Sequence, residues 1–201
     1  MNTFYEAILM ELKNIEKSFS KDELAYLALT SKIELPIRDK LAFTLYKKFF
    51  SENIFVVREY SQKTDKRNLI DLAIIKDKKL DTVFEFKAGY TSDPYLNLKR
   101  YIKWINDDLK RSKAIFNSLK YFGEAYAVLF LTHVKSPVEN NKTMIKYYQD
   151  INKIHKKHKE QDIISGIHNT LKPDGKIEGG TAFGYEVDIY YKIIREEISL
   201  L

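Results

Sequence analysis

The chain has 201 residues, 44% of them hydrophobic and 31% charged, which suits one globular domain with a sizeable core and excludes a disordered chain. With no cysteine it has neither disulfides nor thiolate metal sites, and its net charge of +6 permits a polyanionic partner without demanding one. No apolar run reaches membrane-spanning length, and the opening residues, Met1 to Glu6, lack the charged and apolar regions of a signal peptide, so a cytoplasmic protein is expected.

Residues 4–17 read as an amphipathic helix. Ser20 followed by Glu23 has the spacing of a capping box and opens a short helix to about Leu29. Residues 1–32 are thus expected as accessory helices. Residues 35–52 read as the first core helix, with Pro36 in its first turn and Ile37, Leu41, Leu45 and Phe49 at helical spacing. Glu34 stands at its entry, where a carboxylate can cap free amides. Asp39 reads as a solvated acid near the helix start. Residues 54–60 are a strand by residue type. The polar stretch 61–67 is a loop whose Lys63, Lys66 and Arg67 are candidates for phosphate contacts.

Residues 68–88 carry the most information. Two apolar runs flank Lys76-Asp77-Lys78-Lys79, a polar break fit for a tight hairpin. The first run holds one charge, Asp71; the second holds Glu85 and Lys87. Side chains alternate across a strand. Leu80, Thr82, Phe84, Phe86 and Ala88 should therefore share a core face, opposite Asp81, Val83, Glu85 and Lys87. A hairpin would set Asp71 alongside Glu85. Buried charge is costly unless paired or bound to a metal. Two carboxylates and an ammonium on one sheet face make a divalent-cation site with a cationic helper.

Thr91-Ser92-Asp93-Pro94 starts a long helix to Leu119, whose apolar stripe is expected at Leu98, Ile102, Ile105, Leu109 and Phe116. Trp104 is expected to be core or half-buried. Residues 124–134 form a near-continuous apolar run, as a central strand covered on both faces would, with His133 near its end. Residues 139–171 read as helical with a break near Gln161 and with Met144, Ile145, Tyr148, Ile151 and Ile154 on the buried side. Lys156 and Lys157 lie in the densest basic run, a solvated helix end or a phosphate contact. His155 and His158 form no convincing metal pair, because no third ligand lies nearby in sequence. Gly179 to Gly184 reads as a flexible loop or hairpin end, and 185–194 as a last strand at an edge.

Asp71, thirteen intervening residues, and then Glu85-Phe86-Lys87 resemble the motif of the PD-(D/E)xK nuclease superfamily, with Ile70 where the name of the family has proline. The order helix, three strands, helix, strand matches that superfamily's core as well. The resemblance implies an α/β fold with a restriction-endonuclease-like core over residues 35–134. A mixed central sheet would be flanked by helices, with the accessory helices of 1–32 before it and helices and an edge strand in 139–201 after it. It also implies Mg²⁺-dependent hydrolysis of phosphodiester bonds, with Mn²⁺ as substitute and DNA as the substrate most relatives cut. Asp71, Glu85 and the main-chain carbonyl of Phe86 would be metal ligands, Lys87 a catalytic residue, and Glu34 a further acid from the first core helix. Members of the family often act as homodimers, though nothing in the sequence marks a dimer interface. The alternative is an inactive module of the same fold that binds nucleic acid or a protein.

Overall fold

A computed structural model describes residues 3–50, 53–61 and 69–198. Three helices come first, α1 (Thr3–Leu12), α2 (Glu23–Thr30) and α3 (Glu34–Phe49). Strands β1 (Ile54–Tyr60), β2 (Ile70–Lys76) and β3 (Lys79–Tyr90) follow, then the long helix α4 (Ser92–Leu119) and β4 (Gly123–Val134). The chain continues through α5 (Tyr148–Lys157), α6 (Glu160–Leu171), β5 (Gly175–Ala182) and β6 (Tyr185–Ile198). The strands form one mixed sheet in the order β1-β2-β3-β4-β6-β5. Only the β3–β4 pair is parallel, and α4 is its crossover.

The sheet separates two apolar layers. Phe84 and Phe86 of β3 and Tyr126, Val128 and Phe130 of β4 pack with Ile8, Leu24, Ile37, Leu41 and Leu45 of the first three helices. Val83 of β3 and Ala125, Ala127, Leu129 and Leu131 of β4 face Ile105, Leu109 and Phe116 of α4 and Ile163 and Ile167 of α6. β4 is buried on both sides, which accounts for its unbroken apolar sequence.

Asp77 and Lys78 at φ 49° and 64° make the expected two-residue hairpin between β2 and β3. A register shift follows between Ile74 and Ile75. Slipping the pairing by one residue exchanges faces, so Leu80 packs on the α4 side with Val83 rather than with Phe84. The alternation expected from the sequence holds from Thr82 onward and fails at Leu80.

Other corrections have equally local causes. The α4 stripe holds at Ile105, Leu109 and Phe116 but not at Ile102, which is 48% exposed, while Tyr101, Asp108 and Ser112 also turn inward. The Leu98 side chain lies outside the described residues. Residues 139–147 are turns and bends rather than helix, and Met144 is exposed. The helix break falls at His158 and Lys159, ahead of Gln161. The glycine-rich stretch is the hairpin-end alternative of its two readings, the end of strand β5 and its turn to β6, with Phe183 and Gly184 at φ 54° and 84°. β6 is therefore internal, between β4 and β5, and β5 takes the edge.

Gly123, the first residue of β4, is wedged between α4 and β3. A Cβ there would lie 2.1 Å from the Phe116 ring and 2.4 Å from the Asp81 carbonyl oxygen. Backbone and a buried ring leave no room to yield. Gly123→Ala should therefore destabilise the protein by about 1–3 kcal/mol, read as a lower urea midpoint with an unchanged slope. An unchanged midpoint would contradict this packing.

Candidate active site

The site forms where the β2–β3 ladder ends. Paired residues run from Lys76–Lys79 to Leu72–Phe84. Continuing that register sets Asp71 opposite Glu85. The backbone ladder stops one rung short of it; instead the Asp71 carboxylate enters the ladder, and the Phe86 amide donates a hydrogen bond to Asp71 Oδ2 at 2.8 Å. An extended residue sends its N–H and C=O to the same side, so the Phe86 carbonyl opens on this gap as well. Asp71 Oδ1 lies 3.8 Å from a nitrogen of Arg38, which is buried on α3 and also meets Asp39 at 2.9 Å and Glu59 at 3.5 Å.

Glu85 is 1% exposed on the α4 face of β3. Arg111 donates to its Oε1 at 2.6 Å and lies 3.1 Å from Asp108, one turn earlier on α4. Asp108 in turn stands 2.7 Å from the Lys87 ammonium. The four charges thus run in sequence as Glu85, Arg111, Asp108 and Lys87. Burial pushes the Glu85 carboxyl up to about 7, against the pull of Arg111 and with the charges of Asp71 and Asp108 adding to the rise. One guanidinium does not fully compensate this carboxylate.

Glu34 belongs to the same group. It is the first residue inside α3, and the cap position is Ile33, with no side-chain cap bond. Its Oε2 is buried without a hydrogen-bond partner. Burial raises its pKa, Asp71 adds to the rise, and Lys32 and Lys87 oppose it. Glu34 is therefore inside the helix rather than at its cap position, and it stands within electrostatic reach of Asp71 and Lys87.

Among the described residues no three His, Asp or Glu side chains converge as a ready metal cage. Asp71, Glu85, the Phe86 carbonyl and Glu34 nonetheless fit a hard divalent cation chemically, because all are oxygen donors. The under-compensated Glu85 and the unpartnered Glu34 Oε2 are the groups that positive charge would satisfy.

Other sequence candidates fall elsewhere. Lys63, Lys66 and Arg67 lie outside the described residues. Lys156 and Lys157 are exposed in the last turn of α5, a favourable end for cations. His133 is buried, with Thr91 Oγ1 at 3.2 Å from Nδ1 and Glu160 Oε1 at 3.0 Å from Nε2, and burial lowers its pKa. It lies six rungs along β4 from Ala127, the partner of Glu85, or about 20 Å away. His155 donates to the Val134 carbonyl.

Arg38, Asp108 and Arg111 were missing from the sequence-derived site. A signal existed for Asp108: on the true inward stripe of α4 it is a lone acid among apolar residues, the pattern that marked Asp71. No protein-family model, curated protein or solved structure matches the chain.

Glu85 should leave a signature in stability. Well below its ordinary value of 4.5, the carboxyl is protonated in folded and unfolded chains alike. From there up to about 7 the unfolded chain ionises while the folded site retains its proton, so this contribution to stability is lost as pH rises. The full loss would be on the order of 3 kcal/mol. Glu85→Gln, which cannot ionise, should melt higher relative to wild type at about pH 8 than at about pH 4.5, in chelator. Equal differences at the two pH values would show that Arg111 compensates the charge completely.

Proposed function

We propose that the protein is a metal-dependent nuclease that hydrolyses phosphodiester bonds, with DNA as the substrate and a restriction-endonuclease-like core. The observation that carries this reading is the Asp71 carboxylate on the Phe86 amide, which brings it to the residue next to Glu85 at the open end of the β2–β3 ladder, with Lys87 next along the same face of β3 as Glu85. Support also comes from the order helix α3, strands β1 to β3, helix α4, strand β4, and from the position of Glu34 at the site end of α3.

Asp71, Glu85 and the Phe86 carbonyl would hold Mg²⁺, or Mn²⁺ in its place, with Glu34 as a further acid. Bound there, the ion supplies a water of lowered pKa and positive charge beside the phosphate. The protein's own contribution is positional. The Phe86 amide fixes the rotamer of Asp71, and Arg38 approaches its other oxygen. Asp108 holds the Lys87 ammonium, which is 30% exposed and can meet an incoming phosphate or orient the attacking water. Arg111 steadies Glu85 and adds positive charge to the same wall.

A second reading has an observation of its own. The Glu85–Arg111 and Lys87–Asp108 pairs neutralise one another internally, as they would in a module that binds nucleic acid without cutting it. Cleavage separates the two.

Purified protein should cut labelled DNA with Mg²⁺ and not with EDTA. Asp71→Asn, which keeps an acceptor for the Phe86 amide, should abolish cleavage with an unchanged melt. Lys87→Ala should slow it by about 100- to 1000-fold. DNA binding without cleavage under every metal tested would favour the non-cutting module, and full activity of folded Lys87→Ala would remove its proposed role.

A further inference from the structure

The exposed face of α3 beside β1 is built unlike an ordinary soluble surface. Phe43 is 59%, Tyr46 42% and Phe50 66% exposed. The Phe43 and Tyr46 rings stack at 6.5 Å with 21° between planes, and Phe50 meets Tyr46 edge-on at 5.1 Å. The Lys47 ammonium sits 4.8 Å from the Phe43 ring centre. Between this ladder and β1 lies a cleft of about 330 Å³ lined by Asp39, Ala42, Phe43, Tyr46, Val56 and Arg58. Its size is at the low end for small-molecule sites, adequate for a single planar ring system.

The two ends of the cleft differ in chemistry. One is aromatic. The other is polar, with Arg58 on Asp39 at 2.9 Å. A carboxylate and a guanidinium side by side offer the acceptor and donors that read a base edge. Asp39 does not set up a repulsive field there, because Arg38 and Arg58 each hold it at 2.9 Å. The cleft is also wired to the candidate active site: the Arg38 that pairs with Asp39 lies 3.8 Å from Asp71. Along α3, Phe43 stands nine residues from Glu34, or about 14 Å.

Aromatic platforms interleaved with cations suit the faces of bases that are not already stacked in a duplex. We infer that the α3–β1 cleft binds an unpaired base of the nucleic-acid strand that enters the site, with Phe43 and Tyr46 as the stacking platform and Arg58 and Asp39 at the base edge. The inference rests on the nuclease reading and names its substrate class: a strand single-stranded, or opened, next to the scissile phosphate. A base within a duplex cannot enter the cleft without leaving its stack.

The test is fluorescence anisotropy in EDTA, with a labelled DNA strand of about 12 nucleotides and the blunt duplex of the same length. No cleavage is needed, so the result is independent of whether the site is active. Wild-type protein should bind the single strand more tightly than the duplex. Phe43→Ala and Tyr46→Ala should each weaken single-strand binding by about 5-fold or more and change duplex binding by much less, with melts unchanged because both rings are exposed. Single-strand binding unaffected by both variants would overturn the inference, even if the protein cleaves with Mg²⁺. Equal loss on strand and duplex would overturn it too. A wild-type dimer in sedimentation that Phe43→Ala dissociates would assign the face to a second copy of the chain instead. Intact, ring-dependent strand binding without Mg²⁺-dependent cleavage would leave the cleft assigned and sink the nuclease reading alone.

Discussion

The arrangement depends on a single hydrogen bond, from the Phe86 amide to the carboxylate of Asp71. A ladder that ended without it would leave a strand amide seeking an acceptor, at a cost on the order of 1–3 kcal/mol if buried. Asp71 supplies that acceptor from its side chain. It is thereby held at the residue next to Glu85, whose own burial leaves its charge only partly compensated. Two acids held close by backbone geometry repel each other, and that unfavourable arrangement persists only because the sheet dictates it.

The two helical layers then bring positive charge from opposite sides. α3 contributes Arg38, which is shared among Asp39, Glu59 and Asp71. α4 contributes Arg111, shared between Glu85 and Asp108, and Asp108 also fixes Lys87. Each guanidinium answers to more than one anion, so neither is free to choose its rotamer alone. Such coupled networks rigidify a site when their members are satisfied. The unpartnered Glu34 Oε2 marks where this one is not.

The local chemistry was legible in the sequence because charge on apolar strands is rare and informative. A lone Asp71 and the Glu85–Lys87 alternation singled out the candidate site, and element order gave the helix, three strands, helix and strand around it. What was hidden depended on tertiary contacts. The register shift beside Ile75 moved Leu80 to the other face, and no local pattern announces a bulge. The expected stripe of α4 holds at Ile105, Leu109 and Phe116 and fails at Ile102, which is as apolar as Tyr101 yet stays exposed. The expected stripe was all apolar, so it passed over Asp108, buried beside Leu109, and Arg111. β6 read as an edge strand because its alternation fits one. Only its pairing with both β4 and β5 shows otherwise, and that in turn depends on a glycine-rich stretch with weak strand propensity.

The central claim is that the opposed carboxylates of Asp71 and Glu85 form a divalent-cation centre. The most direct measurement is anomalous diffraction from crystals soaked in Mn²⁺. The account predicts an anomalous peak bonded to oxygens of Asp71 and Glu85 and beside the Phe86 carbonyl, absent in Asp71→Asn crystals treated alike. Crystals that take up Mn²⁺ elsewhere, with no peak between these two side chains, would contradict it.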